Sequence, residues 1–118
     1  MIIIFQNLNL INLNSIFLNI NQTGLHRIYY WGSFVGKYSI KAKPDRIIIN
    51  GELKDIADKY YFNTTDNIIE LQYDSNISDI GGLFYTCSNI TKIDFSQFDS
   101  SLVIRMHYLF YGCKQLTS

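Results

Sequence analysis

One five-residue segment occurs twice in this 118-residue chain and constrains its fold more than any other feature. The chain reads LFYTC at residues 83–87 and LFYGC at residues 109–113, 26 positions later. At this offset apolar residues align with apolar residues, and the aligned pairs are Ile77 with Val103, Ile80 with Met106, Leu83 with Leu109, Phe84 with Phe110, Cys87 with Cys113 and Ile90 with Leu116. Such a period is typical of solenoids, in which each unit buries its apolar side against the next unit.

Length and charge limit the classes of function. A chain of 118 residues suffices for one domain, or for a small cap joined to a short repeat array. Ten basic side chains balance ten acidic ones, so no overall field attracts nucleic acid or an anionic membrane surface. We therefore expect no nucleic-acid partner.

The N-terminal segment, residues 1–25, carries no charged side chain. Asparagines interrupt its apolar run too often for a membrane span of about 20 apolar residues. It also lacks the positive n-region and small-residue cleavage site of a secretory signal. We predict no membrane span and see no signal peptide in this chain. Four N-x-[ST] sequons permit secretion without demonstrating it, and their asparagines are Asn21, Asn63, Asn76 and Asn89.

Two short β-branched runs, residues 17–20 and 46–50, predict strands. The second run ends at Asn50-Gly51, the dipeptide best suited to a type I′ turn because both central positions need positive φ. Residues 46–55 are therefore predicted to form a β-hairpin.

Further elements complete a predicted β-rich cap or lead-in region over residues 1–74. Apolar and polar residues alternate over residues 69–73, which predicts a strand with one buried and one exposed face. Glycines and a proline in residues 32–44 predict a loop, and residues 56–62 are compatible with a helical turn.

The repeats are predicted over residues 75–118, one complete and one incomplete. In the first, apolar residues fall at spacings of three and four, as in a short helix, and Ile93 and Phe95 then alternate as in a strand. Strands at residues 71–73 and 93–95 would form successive rungs of a parallel ladder. Because the second unit stops before its strand, we expect this sequence to be the N-terminal part of a longer protein or an incomplete gene product.

Residues 80–101, which read IGGLFYTCSNITKIDFSQFDSS, resemble the repeat of BspA-like leucine-rich repeat surface proteins. That repeat has the form M-x-x-M-F-x-x-C-x-x-L-x-x-L-D-L-S-x-F-D-T-S. Leu83 and Leu109 stand where the family usually has Met, and Phe95 replaces a Leu. The resemblance covers about residues 76–118, and residues 44–51 are similar to the lead-in of protist members.

The resemblance implies an α+β fold: a short leucine-rich-repeat-type solenoid, with a helical turn and a short parallel strand per repeat, after a β-rich N-terminal cap. It also implies a non-catalytic, cell-surface or secreted protein that binds proteins, matrix or neighbouring cells. A cytoplasmic location stays open without a signal peptide. The predicted repeat core consists of Leu83, Phe84, Cys87, Ile90, Ile93, Phe95, Leu109, Phe110, Cys113 and Leu116.

The two cysteines occupy equivalent positions of the two units. Stacking would place Cys87 and Cys113 about one strand spacing, roughly 4.8 Å, apart, which lies within the Cα window of a disulfide. Equivalent side chains point in parallel, however, so we favour two buried thiols over a disulfide. With only His26 and His107 besides, no spacing supports a zinc site. No metal or cofactor is predicted.

Candidate functional residues are aromatic. Exposed Tyr and Trp side chains suit a protein partner, so Trp31, Tyr85 and Tyr111 form a candidate binding surface, although filling of the core is the simpler interpretation of most rings. We read Asp94 and Asp99 as hydrogen-bonding loop residues, and we predict no catalytic residue and no enzyme. Two alternatives to a surface module are an intracellular structural or scaffolding repeat protein and a non-functional fragment of a repeat-family gene.

Overall fold

The computed structural model describes residues 14–34 and 38–118, and in these ranges the chain consists of β-strands and turns without a helix. The first thirteen residues of the uncharged N-terminal segment lie outside the described residues. The strands within the described ranges are β1 (Asn14–Ile20), β2 (Gly24–Arg27), β3 (Ser33–Phe34), β4 (Tyr38–Ser39), β5 (Arg46–Ile49), β6 (Glu52–Lys54), β7 (Lys59–Phe62), β8 (Asn67–Tyr73) and β9 (Ile90–Asp94). These ranges contain no helix long and apolar enough to cross a membrane.

The main sheet has five strands in the order β6-β5-β8-β1-β9, and every neighbouring pair is antiparallel. β1 pairs with β8 along its whole length, from Asn14 opposite Tyr73 to Ile20 opposite Asn67. Alternate residues of β1, namely Ile16, Leu18 and Ile20, are fully buried. Strand β1 is thus a central strand with a buried apolar face, as its period-2 pattern requires.

The predicted α+β solenoid with helical turns and parallel strands is wrong, because the described chain is all-β and its sheets are antiparallel. The predicted neighbouring rungs, residues 71–73 and 93–95, belong to the regions of β8 and β9, which lie on opposite sides of β1. The repeat pattern describes only local spacing, so it carries no information about a strand from the start of the chain. Non-local pairing with β1 decided the sheet order.

Neither predicted helical turn forms a helix. From Ile80 onward the chain makes successive β-turns, and in the first of them the N–H of Leu83 donates to the carbonyl of Ile80 at 3.2 Å. Gly82 (φ 69°) and Thr86 (φ 58°) adopt left-handed conformations there, which break the run of right-handed residues that a helix needs. Residues 56–62 are also not helical, because β7 pairs antiparallel with β2.

The predicted hairpin at residues 46–55 is confirmed. Strands β5 and β6 pair antiparallel and are joined by Asn50 (φ 51°) and Gly51 (φ 84°), the two positive φ values of a type I′ turn. The predicted strand at residues 69–73 is also confirmed within β8. Its expected exposed face differs at Gln72, which is buried and accepts a hydrogen bond from Arg46 Nε at 2.9 Å.

The predicted loop at residues 32–44 contains two short paired strands, β3 and β4. Residues 35–37 of that loop lie outside the described residues.

One hydrophobic core joins the β-rich region and the repeats. A single cluster of buried residues includes Ile16 and Leu71 from the sheet together with Phe84 and Leu109 from the repeats. The division of the chain into residues 1–74 and 75–118 stays a prediction, and the packed core extends across it.

A buried asparagine fixes one end of the sheet. Asn67 is 1% exposed, and its Nδ2 donates to the carbonyls of Ile20 (3.0 Å) and Thr64 (2.9 Å). Its Oδ1 accepts from Asn50 Nδ2 at 3.0 Å. The side chain therefore connects the end of β1, the hairpin turn and the start of β8, and its buried polar atoms are satisfied as burial requires.

Candidate protein-binding surface

The two copies of the repeated segment lie against each other with matching backbones. We call residues 77–91 the first copy and residues 103–117 the second copy. Every second N–H over part of the first copy donates to a carbonyl of the second, and these pairs are Ile80 to Arg105 (2.9 Å), Gly82 to His107 (2.9 Å), Phe84 to Leu109 (3.2 Å) and Thr86 to Tyr111 (2.6 Å). The left-handed residues also recur 26 positions later, at Tyr108 (φ 57°) and Gly112 (φ 77°).

This register places four tyrosines in one cluster, which we call the tyrosine ladder: Tyr30, Tyr85, Tyr108 and Tyr111. The rings of Tyr85 and Tyr111 stack with centroids 5.2 Å apart and planes at 12°. Tyr30 meets Tyr85 edge to face at 5.1 Å, and Tyr108 meets Tyr111 edge to face at 5.8 Å. Equivalent side chains of adjacent copies point the same way, so backbone stacking at about 4.8 Å brings their rings into contact.

Backbone and charged contacts hold the inner end of the ladder. The N–H of Tyr30 donates to the carbonyl of Leu83 at 2.7 Å, which brings the Tyr30 ring beside Tyr85. The Arg27 guanidinium lies over the Tyr30 ring, 5.1 Å from its centroid, and Arg27 Nη1 pairs with Asp58 at 3.2 Å. A cation placed this way is attracted to the electron-rich face of the ring.

The outer end of the ladder is open to solvent. Tyr111 is 57% exposed and Tyr108 is 45% exposed, whereas Tyr30 and Tyr85 are half-buried. The ladder is therefore anchored in the molecule at one end and presents ring surface at the other.

The structure brings together two of the three predicted surface residues. Tyr85 and Tyr111 stack, whereas the ring contact of Trp31 is with Lys43, whose Nζ lies 5.0 Å from the ring centroid. Sequence reasoning did not single out Tyr30 and Tyr108. The i, i+3 spacing of Tyr108 and Tyr111 is a usable local signal for Tyr108, but the contact of Tyr30 depends on tertiary structure.

The predicted repeat core divides by burial. Leu83, Phe84, Cys87 and Ile90 are fully buried and Leu109 is 6% exposed, while Ile93, Phe95, Cys113 and Leu116 are half-buried. Phe110 is 44% exposed, so its assignment to the core is wrong. The physical reason is that the second copy covers the first copy, whereas no described residue covers the outer side of the second copy.

Both cysteine thiols are free. Burial raises the pKa of the Cys87 thiol, with a smaller contribution from Cys113, and burial also raises the pKa of Cys113. Cys113 Sγ donates to the carbonyl of Phe84 at 3.0 Å. A raised pKa suppresses the thiolate, which is the nucleophilic form, so these thiols act as packing groups in this fold.

The predicted hydrogen-bonding role of Asp94 and Asp99 is confirmed, although Asp94 is the last residue of β9 and not a loop residue. Asp94 Oδ1 accepts from the N–H of Ser96 at 2.8 Å, and Asp99 Oδ1 accepts from the N–H of Ser101 at 2.9 Å. These hydrogen bonds lower the pKa of both carboxyl groups, which is opposite to the shift that a general acid needs.

Within residues 14–34 and 38–118, no three His, Cys, Asp or Glu side chains come together as a metal site would require.

In comparisons with known proteins, no family model matches this chain, and neither the curated proteins nor the solved structures include a match.

Proposed function

We propose that this chain is a non-catalytic recognition module that binds a protein or matrix partner at the cell surface through the tyrosine ladder. The observation that carries the proposal is the stacking of Tyr85 on Tyr111, because Tyr111, the outer member of this pair, is 57% exposed.

Tyrosine is suited to recognition because its ring supplies contact area at a small cost in side-chain entropy, and its hydroxyl supplies a hydrogen bond. Residues of this type dominate binding energy at many protein interfaces. In the ladder, Tyr85 and Tyr108 already restrain the Tyr111 ring. A partner would therefore meet a surface that is largely ordered before binding, which lowers the entropic cost of association.

The resemblance of residues 80–101 to BspA-like surface proteins supports the cell-surface part of the proposal. The raised pKa values of the two thiols and the lowered pKa values of Asp94 and Asp99 support its non-catalytic part, because neither kind of group is prepared for nucleophilic or general-acid chemistry.

Binding to immobilised matrix proteins tests the proposal. The purified chain is titrated against fibronectin, laminin, fibrinogen and collagen by surface plasmon resonance. We expect binding to at least one ligand, weakened at least about tenfold by the double substitution Tyr108→Ser and Tyr111→Ser, because a tenfold change needs only about 1.4 kcal/mol. Tyr61→Ser is the matched control, since Tyr61 is 75% exposed on β7. An equal loss with the control would refute the role of the ladder.

Location is tested with an antibody raised against the chain. Labelling of intact source cells supports a surface module. Labelling that requires permeabilised cells would instead support the intracellular scaffolding alternative.

A further inference from the structure

The outer side of the second copy repeats a surface that the first copy has covered. Ile80 is 5% exposed, whereas its equivalent Met106 is 63% exposed. Phe84 is fully buried, whereas its equivalent Phe110 is 44% exposed. The two copies therefore share residue types and backbone conformation but differ in whether a further segment lies over them.

An apolar groove of about 410 Å³ lies at this side, which we call the end groove. Seven of its eight lining residues are apolar or aromatic, among them Phe95, Val103, Met106, Leu109 and Phe110, and the eighth is Ser100. No charged side chain lines the groove, so an apolar occupant fits it better than a charged one.

Backbone donors lie along the same side. In the first copy, the N–H groups of Ile80, Phe84 and Thr86 donate to carbonyls of the second copy. The equivalent groups of the second copy are the N–H groups of Met106, Phe110 and Gly112, and no residue of the described ranges supplies them with a hydrogen-bond acceptor. An occupant that brings carbonyl oxygens at alternate residues would satisfy these donors.

We propose that the end groove binds a polypeptide segment with the residue pattern of the second copy itself. The internal contact between the two copies defines this occupant. It carries apolar side chains at the positions of Met106, Leu109 and Phe110, and alternate carbonyls that accept from the edge N–H groups. The mode is addition of a further segment to an exposed backbone edge.

A second end groove is a poorer occupant. Two such grooves facing each other would bring the N–H donors of Met106, Phe110 and Gly112 against the same donors of the other copy. Apolar contact would form, but the backbone donors would stay unsatisfied.

The inference goes beyond the proposed function, because it concerns a different surface and specifies the occupant's chemistry.

The first test uses a synthetic peptide of residues 101–118, labelled with a fluorophore and titrated against the whole chain by fluorescence anisotropy. We expect saturable binding with one peptide per chain. Met106→Asp in the chain should weaken it at least about tenfold, because a charge would enter an apolar contact. Leu53→Asp is the matched control, since Leu53 is 68% exposed on β6. A peptide carrying Leu109→Asp should bind at least about tenfold more weakly. Absence of binding, or equal binding to both chain variants, would overturn the proposal.

The second test follows amide exchange by NMR with labelled chain and unlabelled peptide. Exchange at Met106, Phe110 and Gly112 should slow about tenfold or more at saturating peptide, while the N–H groups of Ile80, Phe84 and Thr86 stay protected by the chain's own second copy. Displacement of the chain's own second copy by the peptide would contradict the proposal.

If the free chain dimerises and Met106→Asp abolishes the dimer, the groove binds a second molecule of this chain instead, and the proposal is overturned. The matrix-binding assay with Tyr108→Ser and Tyr111→Ser is read separately, so failure of either proposal is distinguishable.

Discussion

Two equivalent phenylalanines in different environments offer a direct test of how the copies are packed. Phe84 and Phe110 occupy the same position of the two copies, 26 residues apart, and both are followed by tyrosine. Phe84 is fully buried and meets Phe95 edge to face at 6.4 Å, whereas Phe110 is 44% exposed and meets Phe95 edge to face at 6.2 Å. Replacing each with alanine removes the same atoms from two different surroundings.

The expected losses of stability differ because only one substitution leaves a cavity. For Phe84→Ala, the lost transfer free energy and the cavity together should reduce the free energy of unfolding by about 3 to 5 kcal/mol. For Phe110, a little over half of the side chain is removed from water. Full burial of such a side chain contributes about 1.5 to 3 kcal/mol, so Phe110→Ala should cost about 1 kcal/mol, since solvent fills the space it leaves.

Urea denaturation followed by far-ultraviolet circular dichroism and tyrosine fluorescence measures both values. The two probes should give coincident transitions if unfolding is two-state. An unchanged slope against denaturant would show that each variant alters stability and not the extent of unfolding. Phe110→Leu serves as a control, because it keeps most of the apolar contact with Phe95.

Equal losses for the two alanine variants would refute the reasoning. They would mean either that the second copy does not cover Phe84 or that another surface buries Phe110 in solution. A loss below about 0.5 kcal/mol for Phe84→Ala would be that of an ordinary surface substitution, and would contradict the burial of that ring.

Three further predictions concern a buried asparagine, the two thiols and two aspartates. Asn67→Ala should cost about 2 to 3 kcal/mol in urea denaturation, because it leaves the buried carbonyl of Ile20 without this donor and also removes the hydrogen bonds to Thr64 and Asn50. Ellman's reagent should modify half-buried Cys113 first and Cys87 only at the rate of unfolding, which Cys113→Ser would show directly. Folding lowers the pKa values of Asp94 and Asp99, so the stability that these carboxylates add is present above their unfolded pKa, near 4, and is lost as the pH falls through their folded pKa values. The double variant Asp94→Asn and Asp99→Asn should therefore lose less stability between pH 5 and pH 2 than the original chain. An unchanged dependence of stability on pH would contradict this assignment.

The elements that could be predicted from sequence are those that depend on local chemistry. Asn50-Gly51 specifies its turn because few other dipeptides tolerate two positive φ values. Alternation over residues 69–73 specifies a strand, since period 2 places its apolar side chains on one face. The helical interpretation of the repeats failed because spacings of three and four also suit successive turns, and the left-handed Thr86 carries no glycine signal.

The candidate surface was predictable only in part. The repeat identifies Tyr85 and Tyr111 as equivalent, and equivalence is enough to predict that they stack once the copies pack in register. Tyr108 aligns with Gly82, so the first copy has no aromatic residue at the equivalent position. Tyr30 reaches the ladder through the hydrogen bond of its N–H to the carbonyl of Leu83, a contact between distant parts of the chain that no local pattern contains.

By itself the sequence determined which residues are equivalent, where the tight turn lies and which strand faces are apolar, because each depends on neighbours along the chain. Tertiary structure decided that β1 lies between β8 and β9, that Tyr30 joins the ladder, and that Phe84 is covered while Phe110 is exposed. The physical reason is that burial and strand order depend on which distant segment supplies the opposing surface. Identical residues at equivalent positions therefore have different environments when only one of them is covered.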